Sequence, residues 1–279
     1  MTHTEETRPP RNRFRIRFAK TGLLRWIGHR DLQRLWERML RRTGVRLSMS
    51  AGFHPKPRIS FPSALALGVE GLDEVVEVDL AESIDAETVR QKLVADEQPG
   101  LVIGSVRLIG WAQANGPGVE LLPGFERAKL HRSVYEIALP ESCLVDPRRG
   151  DGLPRVAEGE CRVTVRAIDR AILDAKLRRF LTVIRKGKPV MAEIANDLPV
   201  FERRGDTIHL VQIDSEAATL KPADILDATG LGDLIEAGAT IRRTRVVLSD
   251  EADALSIDAP SPDAQANHDR RPMAIYQNI

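Results

Sequence analysis

Cysteine is almost missing from this 279-residue chain: there are two, Cys143 and Cys161, and no CxxC pair. That excludes a thiolate zinc site or a three-cysteine iron–sulfur site built from this chain alone. Aromatic residues make up only 4%, so stacking on bases is limited to a few positions. No apolar run approaches the roughly 20 residues that a membrane helix needs. The stretch MTHTEETRPPRNR has no apolar h-region, so a cytoplasmic chain with both cysteines reduced is expected. The phosphate-binding and hydrolase signatures GxxxxGK, GxGxxG, HExxH and GxSxG do not occur. His29, His54, His131 and His209 are scattered without ligand spacing, so no metal and no cofactor is expected.

What is present is a globular composition, 42% hydrophobic and 29% charged, with room for two domains. The formal net charge is +1, yet Arg8 to Arg58 holds 15 Lys or Arg against two acids, Asp31 and Glu37, a local balance of +13. Charge gathered in this way commonly meets a polyanion, and nucleic acid phosphate is the commonest one.

Local patterns give the elements. Arg13 to Phe18 alternates strictly, which places Phe14, Ile16 and Phe18 on one face of a strand and three arginines on the other. Leu32, Leu35, Trp36, Met39 and Leu40 form the buried stripe of a helix over about Arg30–Thr43, stopped by Gly44, with Arg34, Arg38, Arg41 and Arg42 opposite. A short strand is predicted over Val45–Met49. Then Gly52, Pro55 and Pro57 stiffen a loop that carries Phe53, His54, Lys56 and Arg58. Ile59–Gly68 returns to the sheet, Glu74–Leu80 is a strand, Asp85 opens a helix and Leu101–Ile109 closes the unit. This order predicts an α+β protein with a ferredoxin-like βαββαβ domain over 13–111, both helices on one face and the other face available to bind something or to pack against another domain.

A linker is predicted over 112–127 and a second small α+β domain over 128–248, with a repeat of the first topology as an open alternative. Its expected strands include Ser133–Leu139, Cys161–Val165, Thr207–Ile213 and Thr240–Leu248. Its expected helices open at Asp169 and Pro222, and Phe180–Arg185 fits helix and strand alike. Residues 249–279 are rich in Ala, Asp and Pro without period and read as a disordered tail.

The run from Phe18 to Gly71 contains Phe18-Ala19-Lys20-Thr21-Gly22, His29-Arg30-Asp31-Leu32 and Gly52-Phe53-His54-Pro55-Lys56-Pro57-Arg58-Ile59-Ser60-Phe61. It resembles the radical SAM-linked protein family, found beside or fused to cobalamin-binding radical SAM proteins. The resemblance implies an association with radical SAM chemistry and with RNA, ribosomal or transfer. It supplies no activity. This chain departs from the family's pattern at Gly28, where serine is usual, and at His54, where asparagine is usual. The CxxxCxxC that holds a radical SAM cluster is missing, so such an enzyme would be a partner and not this chain.

The candidate nucleic-acid residues are Arg15, Arg17, Lys20, Arg25, Arg30, Arg34, Arg38, Phe53, His54, Lys56 and Arg58. For Arg15 and Arg17 a second reading stays open, pairing with Glu77 and Asp79 across neighbouring strands. The expected function is a non-catalytic RNA-binding accessory protein. One alternative is a metal-independent ribonuclease using His29 and His54. The other is a module that docks on an acidic protein.

Overall fold

Phe14, Ile16 and Phe18 are fully buried, as their alternation requires, and the strand they belong to organises the first of two compact units. The computed structural model describes residues 11–112, 126–144, 163–185, 187–214 and 220–254. Unit 1 runs to Lys129 and takes up again at Ser249, and unit 2 is Leu130–Leu248. The class is α+β with mostly antiparallel strands.

Unit 1 contains β1 (Arg11–Lys20), α1 (His29–Arg42), β2 (Ile59–Ser60), β3 (Glu70–Leu80), α2 (Ala86–Val94) and β4 (Leu101–Ala112). Strand β1 lies between β4 and β3, antiparallel to both, and β2 pairs antiparallel on β3. One face of this sheet packs Phe14, Ile16, Phe18, Val76, Val78 and Leu80 against Trp36, Met39 and Leu40 of α1 and Val89 and Leu93 of α2. Trp36 meets Phe18 edge to face at 4.9 Å. Burying side chains of this size contributes about 1.5–3 kcal/mol each. Asp85 caps α2 by accepting from Thr88 N at 2.8 Å.

Two expectations for unit 1 give way. Val45–Met49 forms only isolated bridges, Leu47 to Leu80 and Met49 to Pro57, and the return strand is two residues long. Pro55, Pro57 and Pro62 remove the backbone donors that a longer ladder would need. Residues 249–254 are no part of a disordered tail; they form a 3-10 turn. Residues 255–279 lie outside the described residues, as does most of the predicted linker.

Unit 2 contains β5 (Leu130–Ala138), α3 (Glu141–Leu144), α4 (Val165–Lys176), β6 (Phe180–Arg185), β7 (Lys188–Glu193), α5 (Ile194–Asp197), β8 (Val200–Arg204), β9 (Thr207–Ile213), α6 (Pro222–Ala228), α7 (Asp233–Glu236) and β10 (Thr240–Leu248). Its main strands follow the order β10-β5-β9-β8, and β6–β7 is a separate hairpin. In each unit the first strand therefore sits between the last and the penultimate one of the main sheet, with a further strand outside the penultimate. Val165 opens α4 instead of closing a strand, because Thr164 accepts from Ala167 N at 3.3 Å and caps the helix there. Asp169, expected at the cap, instead takes Arg203 in a fork at 2.7 and 2.8 Å. Cys143 is buried and disulfide-bonded, not the reduced thiol expected; Cys161 lies outside the described residues. No described helix is long and apolar enough to cross a membrane.

Candidate nucleic-acid interface

For the face of β1 opposite the core, binding and packing were both open. Its Arg15 and Arg17 are buried and engaged by carboxylates. Arg15 stands directly across from Glu77 and Arg13 across from Asp79 in the β1–β3 register. Arg13 Nε donates to Asp79 Oδ1 at 2.6 Å and Arg11 Nε to Asp79 Oδ2 at 2.6 Å. Arg15, 5% exposed, donates from Nη2 to Glu77 Oε1 at 2.9 Å and to Asp250 Oδ2 at 2.8 Å. Arg17 donates to Asp73 Oδ2 at 2.6 Å, one step along the strand, and to Glu251.

Burial pulls the Arg15 guanidinium down, but hydrogen bonds and attraction from Asp250 and Glu77 carry it above its ordinary value. Glu77 is the member under electrostatic strain. Burial pushes its carboxyl above the ordinary value of 4.5, although Arg15 and Arg13 oppose the shift. Lys20 is 1% exposed and donates Nζ to the Ile27 carbonyl at 3.0 Å.

Arg15, Arg17 and Lys20 therefore leave the expected phosphate track, because their donors are turned inward and used. Arg25 is half-buried, stacked over the Trp26 ring at 5.1 Å and 3.8 Å from Glu70. The +13 balance read along the chain is largely cancelled in space by acids from elsewhere. Arg42 takes Asp96 and Arg46 takes Glu82, while Arg41 takes Glu37 from its own helix.

What stays outward is smaller and better defined. Exposed Arg30, Arg34 and Arg38 repeat every four residues along α1, which holds them to one side of the helix. Arg34 has an exposed contact with Asp31 at 3.4 Å, a pair that contributes little in water. Arg30 and Arg38 have no ion-pair partner among the described residues.

The segment Ser48–Arg58 is a loop stapled at its root. Ser50 N donates to Lys56 O at 2.8 Å, Arg58 N donates to Ser48 O at 2.9 Å, and Lys56 N donates to Ser50 Oγ at 2.9 Å. Arg58 Nε reaches Met49 O at 3.1 Å, so that side chain holds the loop while its other N–H groups remain. Gly52 sits at φ +116° and makes the bend, a backbone state that L side chains rarely adopt. The tip, Ala51 to Lys56, is exposed, and Phe53 is fully so. The side chains of Lys56 and His54 have no hydrogen bond or ion pair among the described residues.

An open groove of about 610 Å³ runs between this root and the end of α1, lined among others by Arg41, Arg46, Leu47 and Met49. The C-terminal end of α1 and the root of the loop thus share one groove. His29 packs edge-on against Phe61 at 5.2 Å, and neither it nor His54 is oriented by a carboxylate among the described residues. No group of three or more His, Cys, Asp or Glu able to hold a metal occurs among the described residues.

Sequence reasoning missed Arg107, Asp250 and Glu251, which join the β1 cluster. Glu251 accepts from Arg107 Nη2 at 3.1 Å and from Arg15 Nη1 at 3.0 Å. An acid pair directly after the last strand is the only trace of this contact in the sequence.

Residues 13–120 match the model of a family described as "Uncharacterized protein conserved in bacteria (DUF2344)". The match runs from within β1 through β4 and so carries both the loop and the helix stripe. No match was found among curated proteins.

Proposed function

We propose that this chain is an RNA-binding accessory protein that presents RNA to a radical SAM enzyme. The stapled loop would contact unpaired bases, and the α1 stripe would contact phosphates. One observation carries the reading: Phe53 is fully exposed at the tip of a backbone-closed loop, beside His54 and Lys56. A solvent-facing phenylalanine on a rigid mount suits stacking on a splayed base, and the Lys56 ammonium and the polar His54 ring beside it suit phosphate contacts. The mount also leaves little conformational entropy to lose on binding. The radical SAM half rests on the resemblance of Phe18–Gly71 and on the lack of a cluster motif in this chain.

The test is fluorescence anisotropy of the full chain with labelled bulk transfer RNA across a salt series. Phosphate contact predicts that log Kobs falls linearly with log salt, and a flat response removes the reading. Co-purification with a radical SAM enzyme, repeated after nuclease treatment, tests the partner. Capture of an acidic protein without any RNA affinity would favour the docking alternative.

A further inference from the structure

Three guanidinium groups converge on one carboxylate. Arg15 and Arg17 on β1 and Arg107 on β4 all donate to Glu251, with Arg15 Nη1 and Arg107 Nη2 on Oε1 and Arg17 Nη2 on Oε2. Asp250 adds a fork on Arg15, at 3.1 Å from Nη1 and 2.8 Å from Nη2. One guanidinium already balances the charge of a carboxylate. Three such groups around a single anion supply the donor density that suits a phosphate, with its additional oxygens.

The carboxylates arrive on a short 3-10 turn whose visible backbone anchor is Ser249 N on Lys129 O at 2.9 Å. The Asp250 side chain is 59% exposed, so one side of the contact is open to water. Below, Glu77 and Asp73 hold Arg15 and Arg17 in place from the strand next door.

We propose that Arg15, Arg17 and Arg107 form a phosphate-class anion site that the chain itself fills with Asp250 and Glu251. The acidic turn is then a tethered stand-in for a phosphorylated ligand. A tethered occupant competes at a high effective concentration, so the site is closed until a stronger polyanion displaces the turn. The site is separate from the stapled loop and does not rest on the function proposed above.

The experiment neutralises the turn in the full chain, Asp250→Asn with Glu251→Gln, and measures binding of inorganic tripolyphosphate and of a short fluorescein-labelled oligouridylate. The same pair is made on a Phe53→Ala, Lys56→Ala background to keep the loop out of the readout. Neutralisation should raise tripolyphosphate affinity about tenfold or more. Adding Arg107→Gln, whose side chain is 61% exposed and tolerant of change, should remove most of that gain. A gain for both probes assigns a polynucleotide backbone, and a gain for tripolyphosphate alone assigns a free phosphate ligand.

No gain for either probe overturns the proposal, as does a gain that survives Arg107→Gln. If the neutralised chain does not fold, hydrogen exchange of 249–254 in the unsubstituted chain decides. Saturating tripolyphosphate should speed exchange there, and unchanged exchange overturns the proposal.

Discussion

Phe53 and Lys56 belong to one loop, yet the proposed RNA contact assigns them different physics, and two substitutions separate them. Phe53→Ala removes an aromatic face with no charge. Losing a stacked base costs about 1–3 kcal/mol, which is about a 5- to 150-fold loss of affinity. The slope of log Kobs against log salt should stay as it was. Lys56→Gln removes one cation, so the slope should become shallower by about 0.7 for a single-stranded phosphate or about 0.9 for a duplex one. Both side chains are exposed and neither has a hydrogen bond among the described residues, so stability should move by less than about 0.5 kcal/mol. Anisotropy with labelled transfer RNA at five salt concentrations, beside a thermal melt, reads all of this at once. Unchanged affinity in Phe53→Ala, with an unchanged slope in Lys56→Gln, would refute the assignment of the loop. A slope change in Phe53→Ala would show that it acts by disturbing the loop's shape and not by stacking.

Other outcomes follow from the packing. Asp85→Ala removes the cap of α2 and should lower unfolding free energy by about 1 kcal/mol in urea titration. Gly100→Ala should destabilise more, because φ is +84° and the new Cβ would lie 2.5 Å from the Thr21 carbonyl oxygen; about 1–3 kcal/mol is expected. Glu77 binds its proton more tightly folded than unfolded, so its ionisation weakens the fold. Stability of wild type relative to Glu77→Gln should therefore fall as pH rises from about the ordinary glutamate range through the raised one. A rising or flat difference curve would contradict the burial argument.

The parts legible in the sequence are those with a local period. Phe14-Arg15-Ile16-Arg17-Phe18 shows its two faces because a strand repeats every two residues, and the Leu32 to Leu40 stripe shows α1 for the same kind of reason. Asp85 announces α2 because capping is a three-residue event. The arginine charge was misread for the opposite reason. Its partners are Asp73, Glu77, Asp79, Asp96, Asp250 and Glu251, and each is brought in by strand pairing or by a segment far along the chain. A charge count in a window cannot register them. The stapled loop was readable because proline and glycine act on their own backbone. The Ser249–Ala254 turn was not, because composition alone says nothing of a surface that holds it.

That turn also sets a timetable. Glu251 comes 236 residues after Arg15. At a synthesis rate of about 5–20 residues per second, roughly 12–47 s separate the two on the ribosome. During that interval the β1 guanidinium groups are not yet met by the late carboxylates of Asp250 and Glu251. Glu77 and Asp73 reach Arg15 and Arg17 early, and a chain cut short before Asp250 would keep those two pairs while lacking the contacts made by Asp250 and Glu251.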